Sequence, residues 1–204
     1  MGWYERVVFA RLLDDALDVP GVHALRESVL STATGAILEV GLGTGLNLPR
    51  YPPSASRIAA VTRDESPHPR AVERARARGI SVEHVRGDAQ SLPFDANTFD
   101  TVVCTFLLCS VPDPSAAARE LRRVIRDDGR LLVMEHVAAD GARRALQTLL
   151  SPLNRVLTCG CRLARDTRAT LAASGFSVDA LTLADEPAIG LLHRRVLRGV
   201  ARPR

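Results

Sequence analysis

Residues 36–40, AILEV, run directly into three glycines at alternate positions, Gly41, Gly43 and Gly45. Glycine loses more conformational freedom on folding than any other residue, so three in one short loop need a reason. A glycine turn after a strand brings backbone N–H groups up to whatever occupies the turn. The rest of the chain repeats the alternation this loop begins. Strand patterns lie at 57–61 (RIAAV), 80–87 (ISVEHVRG), 99–108 (FDTVVCTFLL) and 130–137 (RLLVMEHV). Helical patterns lie between them at 69–78, closed by Gly79, and at 112–126, and residues 45–50 are expected to begin a helix that Pro52 and Pro53 stop. The run 99–108 is apolar almost throughout, as in a strand covered on both faces. Strand and helix in alternation predict βαβ units and an α/β fold with a mainly parallel sheet.

The flanks are helical and then extended. Residues 3–17 (WYERVVFARLLDDAL) space their apolar side chains as an amphipathic helix, and a second helix is expected over 22–32. The apolar face of the first packs on the domain, or touches a membrane surface or a lipophilic ligand. After residue 138, the segment 141–157 reads as a helix interrupted near Pro152. Asp166 is expected to cap a helix running to Ala173 and ended by Gly175. Residues 176–183 and 194–200 read as two final strands, joined by a connection, 184–193, long enough to line a site. One domain over 1–204 is expected, with a helical cap (1–34), a ligand-binding core (35–138) and a last part (139–204) of helices and two strands.

All 27 basic residues are arginine, which excludes chemistry that needs a lysine Schiff base or a P-loop lysine. With a net charge of +4 and arginines interleaved with carboxylates, the chain shows solvated helix faces and no nucleic-acid footprint. No apolar run approaches the ~18 residues of a membrane span, and there is no signal-peptide pattern, so a cytoplasmic protein is expected. Cysteines at 104, 109, 159 and 161 have no C-x-x-C spacing, so no metal site is expected and the thiols read as reduced and mostly buried.

Two ligand classes compete for the glycine loop. A dinucleotide needs G-x-G-x-x-G, whose third glycine lets the helix pack close to the strand; Leu46 stands there instead. Glu39, just before the glycines, disfavours a pyrophosphate. An amino-acid ligand brings an ammonium group that suits Glu39 and a carboxylate that suits a helix N-terminus. S-adenosylmethionine carries both, plus a ribose and an adenine. Asp88, after the third strand, is placed to accept a hydrogen bond from an adenine amine, and Gly87-Asp88 also reads as a simple turn.

The order LEVGLGTGLNL, YPP, GDAQSLPF, FDTVVCTFLLCSVPDP and ELRRVIRDDGRLLVMEHV resembles class I S-adenosylmethionine-dependent methyltransferases of the small-molecule type. More narrowly, WYERVVFARLLD, LNLPRYPP, VVCTFLLCSVPDP and GCRLARDTRATLAASGF resemble the methyltransferase-like alkyl-thiol methyltransferases, which in turn resemble phospholipid and quinone methyltransferases. The resemblance implies a Rossmann-like, doubly wound sheet of seven strands in the order 3-2-1-4-5-7-6 with the last antiparallel. It implies that Glu39, Gly41, Gly43 and Gly45 surround the methionine portion of the cofactor, that Asp88 and Ala89 meet adenine, and that Thr105 and Phe106 lie near the donor sulfur. The family usually ends its second strand with an acid that binds both ribose hydroxyls; here that place is Thr62, with Asp64 and Glu65 in the same turn. Eukaryotic relatives carry a membrane anchor before this region, whereas this sequence starts at MGWYERVV, so a soluble or loosely membrane-touching enzyme is expected.

Methyl transfer needs nucleophile, methyl and leaving sulfur in line, and a base where the nucleophile is neutral. His136, at the exit of the fifth strand, is the candidate base, and a histidine that only hydrogen-bonds a loop carbonyl is the competing reading. Glu135 alternates to the opposite side of that strand. His193 is a further lining candidate, and His23, His68 and His84 read as surface. Cys104 and Cys109 read as small core residues, and Cys161 has no assigned role. The acceptor pocket is expected between the first helix, residues 139–165 and the 184–193 connection. These segments are rich in leucine, alanine and valine, which points to a small lipophilic acceptor, with a thiol as the best guess and a phospholipid, quinone, amine or phenol as alternatives. A non-catalytic binding protein with a weakened ribose site and a nicotinamide-dependent oxidoreductase are the other readings. Replacing Thr62 by aspartate restores a charged ribose ligand and is expected to tighten cofactor binding by about 1–3 kcal/mol, measured by titration calorimetry; an unchanged or weaker Thr62→Asp variant shows that another residue already fills the role.

Overall fold

The computed structural model describes residues 4–204. Trp3, placed in the first helix from its spacing, lies outside the described residues. Tyr4–Phe9 forms a π-helical turn that leads into α1 (Ala10–Leu17) and then α2 (Pro20–Leu30), which starts on a proline, as a first-turn position allows. The alternating core follows: β1 (Ile37–Val40), β2 (Arg57–Thr62), α3 (Pro69–Arg78), β3 (Ser81–Arg86), β4 (Phe99–Thr105), α4 (Pro114–Val124) and β5 (Ile125–His136). The last part contains α5 (Gly141–Leu157), α6 (Thr167–Ala173), β6 (Phe176–Ser177), β7 (Thr182–Asp185) and β8 (Arg195–Pro203). The sheet order is β3-β2-β1-β4-β5-β8-β6, with β7 also paired to β8. Strands β1 to β5 pair in parallel, and β8 runs antiparallel to β5, β6 and β7. This is the expected Rossmann-like order, with β8 standing where strand 7 was expected and β7 an added eighth strand.

Both faces of the sheet are covered, which explains its apolar strands. Leu38, Val40, Val102 and Cys104 pack with Ala117 and Leu121 of α4 and Leu171 of α6. Ile37, Ile58, Ala60 and Val103 point the other way, against Val29 and Leu30 of α2 and Ala71 and Ala75 of α3. A third cluster joins Leu17, Val22 and Leu25 to Leu46, Met134, Ile189 and Val196 at the carboxyl end of the sheet. Caps fix where helices begin. Asp113 accepts from Ser115 N and Ala116 N at 2.9 and 3.0 Å, and Asp166 accepts from Ala169 N at 2.9 Å, as its sequence position suggested.

Four elements depart from the sequence expectation. The helix expected over 45–50 is only a 3₁₀ turn, Leu48–Arg50, because Pro49 and Pro52 supply no N–H to an α-helical ladder. The helix expected to run to residue 126 stops at Val124, and β5 starts at once, with a shift of register against β4 between Phe99 and Thr101. Helix α5 passes through Pro152 without interruption, since that proline is exposed and water can satisfy the freed carbonyl. The strand expected over 176–183 is two pieces, β6 and β7, separated by a turn in which Leu181 N donates to Val178 O at 3.1 Å.

Two contacts position the N-terminal part on the core. Gly45 has φ +80°, and a Cβ there would stand 2.8 Å from Ala71 Cα, so α3 packs on the glycine loop closer than any side chain allows. Asp14 of α1, only 2% exposed, accepts from Thr44 Oγ1 at 2.5 Å, from Arg74 Nη1 at 2.8 Å and from Arg70 Nη1. Burial pushes the Asp14 carboxyl up, but the bonds from Arg74, Thr44 and Arg70 outweigh it and hold its pKa below the usual value. Asp14→Ala is expected to cost about 2–3 kcal/mol in denaturant unfolding, less than the ~3–5 of a fully buried pair because Arg70 and Arg74 keep contact with water.

Candidate functional site

A cavity of about 500 Å³ opens at the carboxyl ends of β1, β2, β4 and β5, where open parallel sheets bind ligands. Its floor is the glycine loop and its roof is α1, which contributes Ala10, Leu13, Ala16 and Leu17. One end is charged and hydrogen-bonded, and the other is apolar up to a cluster of sulfur and imidazole.

The charged end is built around Glu39, which is fully buried. Asn47 Nδ2 donates to Glu39 Oε1 at 3.0 Å, and Tyr51 OH donates to Oε2 at 2.8 Å. Asn47 also donates to Thr105 Oγ1 at 3.0 Å and accepts from Arg26 Nη1 at 2.5 Å. Burial raises the Glu39 carboxyl to about 7 against the lowering effect of Tyr51, Asn47 and Arg26. Burial likewise lowers the Arg26 guanidinium to about 10, although Glu39 opposes the change. Arg26 Nε is buried with no partner, and its guanidinium lies 5.6 Å from the Phe106 ring centroid. The cavity thus holds an acid and a base, both short of full compensation, side by side.

The loop after β4 links the two ends. Phe106 takes φ +51°, a left-handed conformation that bulky residues rarely adopt. It is held by Phe106 N donating to Met134 O at 2.8 Å. Glu135, pointing away from the cavity as strand alternation predicts, accepts from Leu107 N (2.6 Å), Leu108 N (3.0 Å) and Cys109 N (3.3 Å). Burial raises the pKa of this carboxyl, and the three N–H groups oppose that. Arg165 donates to the carbonyls of Leu108 and Val111 from the other side, at 2.6 Å for Val111.

At the far end, His136 Nε2 lies 3.0 Å from Cys161 Sγ, and the His136 and His193 rings meet edge to face with centroids 4.8 Å apart. Cys109, His136 and Cys161 bring their ligating atoms within 4.8 Å of one another, all buried. Cys109 Sγ lies 3.5 Å from Phe106 O, to which it donates; the neighbouring Cys161 and burial push the Cys109 thiol up, and Cys109 with His136 pulls Cys161 down toward thiolate. The turn that delivers Cys161 needs Gly160, whose φ is +112° and whose Cβ would stand 3.0 Å from Ser110 O. Arg162 N donates to Cys109 O at 2.9 Å and fixes the turn to the loop.

Of the residues singled out by sequence, Glu39, Gly41, Gly43, Thr62, Asp88, Ala89, Thr105, Phe106, His136 and His193 all line the cavity. Gly45 stands behind the loop against α3 and does not line it. Thr62 Oγ1 bonds His84 Nε2 at 2.8 Å, which gives a histidine first read as surface a structural partner in the site. His68, also read as surface, caps α3 and lines the cavity. Asp64 lines the cavity, whereas Glu65 pairs with Arg86 outside it. Asp88 Oδ1 accepts from Gln90 N at 2.8 Å and Gln90 Nε2 at 3.0 Å, and the backbone bond first among these holds its pKa below the usual range. From 139–165 only Thr158, Cys159 and Cys161 reach the cavity, and from 184–193 Ile189, Gly190 and His193 do. The apolar residues of α5 instead face outward, with Leu149 and Val156 about three-quarters exposed (74% and 75%). Sequence reasoning missed Arg26, Asn47 and Tyr51. Their signal was faint: a lone arginine on an apolar helix face, and polar residues in a segment read as helix.

Comparison with known proteins gives one consistent result. Residues 38–133 match the family described as a methyltransferase domain. The chain is 37% identical over 128 residues to phosphatidylethanolamine N-methyltransferase of Cereibacter sphaeroides, covering 60% of this chain and 62% of that protein. It is 34% identical over 158 residues to thiol S-methyltransferase TMT1B of Homo sapiens, covering 72% and 63%. It therefore spans a little under two thirds of the length of these curated relatives. The solved structure of the [4+2]-cyclase SpnF superposes with a TM-score of 0.66 at 26% identity, over 89% of this chain and 73% of that one.

Glu39 makes stability depend on pH in a definite direction. Its folded pKa of about 7 exceeds its ordinary 4.5, so the folded state holds the proton more tightly than the unfolded state does. Folding is therefore weakened as the pH rises from about 4.5 to about 7, by about 3 kcal/mol in all, and stays weakened above. Urea unfolding of the ligand-free protein across this range is expected to show that loss, and Glu39→Gln is expected to flatten it.

Proposed function

Because the chain belongs to the class I S-adenosylmethionine-dependent methyltransferase family, we propose that it moves the methyl group of that cofactor to a small lipophilic acceptor, with a thiol sulfur as the atom methylated. The observation that carries this reading is a single cavity that joins Glu39 and Arg26, both bonded to Asn47, to an apolar chamber ending at His136. The pair suits an amino acid: Glu39 faces the ammonium of the methionine portion and Arg26 its carboxylate. Asp88 and Ala89 receive the adenine, Thr62 and Asp64 the ribose, and Thr105 and Phe106 lie beside the sulfonium. Methyl transfer from a sulfonium needs little beyond alignment, so a rigid loop over 106–109 is the main catalytic provision. A thiol with the ordinary pKa of ~8.5 must also lose its proton, and His136 is the group placed to take it.

Similarity to thiol S-methyltransferase TMT1B supports the thiol acceptor. Similarity to phosphatidylethanolamine N-methyltransferase favours an amine as the second reading. The SpnF cyclase shows that this fold also carries other reactions, so the acceptor has to be read from the site. The purified chain, given S-adenosylmethionine and a panel of apolar thiols, amines, phenols and quinones, is expected to release S-adenosylhomocysteine fastest with thiols. His136→Asn is expected to lower kcat by ~10²–10⁴ with cofactor affinity unchanged. Cofactor binding without turnover on any acceptor would leave a binding protein, and no heat on cofactor titration would remove the reading altogether.

A further inference from the structure

We propose that Cys109, His136 and Cys161 form a zinc-binding site at the acceptor end of the cavity, with its fourth position open to the acceptor. Two thiols and one imidazole are a zinc donor set, and three protein ligands with one open place are the arrangement of catalytic zinc. The distances fit. Zn–S near 2.3 Å and Zn–N near 2.0 Å put the ligand atoms of a tetrahedral two-sulfur, one-nitrogen set about 3.5–3.8 Å apart. Here all three lie within 4.8 Å of one another, and His136 and Cys161 are 3.0 Å apart, so small side-chain rotations suffice.

His136, 3% exposed and lining the cavity, turns its Nε2 toward Cys161 Sγ at 3.0 Å, so the ring presents a donor nitrogen to the two thiols. The donors are also anchored from behind. Cys109 N is held by Glu135, Cys161 O accepts from Asn154 Nδ2 at 3.0 Å, and His136 lies in the β5–β8 ladder. These contacts hold the backbone of all three donor residues in place.

The role of the open position rests on the thiol reading above. An acceptor R–SH coordinates the ion and releases its proton to water, since a metal-bound thiol ionises outright. The sulfur lone pair then attacks the methyl carbon. The carbon–sulfonium bond breaks, its electrons remain on the cofactor sulfur, and the products are R–S–CH₃ and S-adenosylhomocysteine. In the metal-loaded protein His136 is thus a ligand, and the ion replaces it in ionising the thiol.

The test is metal binding by the purified chain under reducing conditions, with a competing chromophoric chelator. One zinc per chain is expected. Cobalt(II) in its place is expected to give a near-ultraviolet thiolate-to-metal charge-transfer band that shifts when butanethiol is added. Cys109→Ser and Cys161→Ser are each expected to weaken zinc binding by more than ~100-fold, beyond what loss of an outer-shell partner costs, while Cys159→Ser keeps it. The cobalt band of the unaltered protein needs no variant, so a misfolded mutant does not spoil the test. Absence of saturable zinc binding, of the charge-transfer band, or of any effect of the two serine variants overturns the site. A bound ion whose spectrum ignores butanethiol overturns the open position. Methyl transfer that survives in fully metal-free protein overturns the ion's part in the reaction and leaves the methyltransferase reading standing.

Discussion

The site depends on one buried carboxylate. Glu135 leaves the sheet on the face away from the cavity and takes three consecutive backbone N–H groups of the loop after β4. Those N–H groups have no other way to be satisfied in an apolar interior, and the charge has no other reason to tolerate burial. The bargain fixes a stretch whose first residues, Thr105 and Phe106, border the charged end of the cavity and whose last, Cys109, borders the end at His136 and Cys161. Alternation along β5 then places His136 on the opposite face, inside the cavity. One strand end therefore supplies both the brace and an imidazole that faces the cavity.

Electrostatics divides the cavity. Near the glycine loop, burial drives Glu39 and Arg26 toward their neutral forms, and only a zwitterionic ligand would relieve both at once. Toward α1 and the 189–193 segment the lining turns apolar, with Leu13, Leu17 and Ile189, so a neutral organic partner meets no desolvated charge until it reaches the imidazoles. The two halves therefore differ in the chemistry they present: charge and hydrogen bonds at one end, apolar surface at the other.

Much of this was legible in the sequence because it rests on local rules. The apolar runs marked the strands and the switch of period the helices, and the motif order pointed to the methyltransferase family. Thr62 stood out because it breaks a pattern. What stayed hidden depends on contacts between distant segments. Arg26 looks like any helix arginine until the fold buries it against Asn47 and Phe106. Cys109 and Cys161 share no spacing motif, and they meet only because Gly160 lets one loop lie on another. The outward apolar face of α5 misled as well: its leucines suggested a pocket wall, and they stand in solvent. Proline signals erred in both directions, ending a helix before it formed at Pro49 and failing to break one at Pro152.

The tight seat of Gly45 on Ala71 has a consequence for how this molecule can vary. Helix α3 carries that seat on one turn and, through Arg70 and Arg74, the anchorage of α1 on the same and the next. Floor and roof of the chamber are thus bolted to one short rod. A bulkier side chain at position 71 would lift the rod from the loop and carry the roof with it, so chamber height is governed by a residue that touches neither guest.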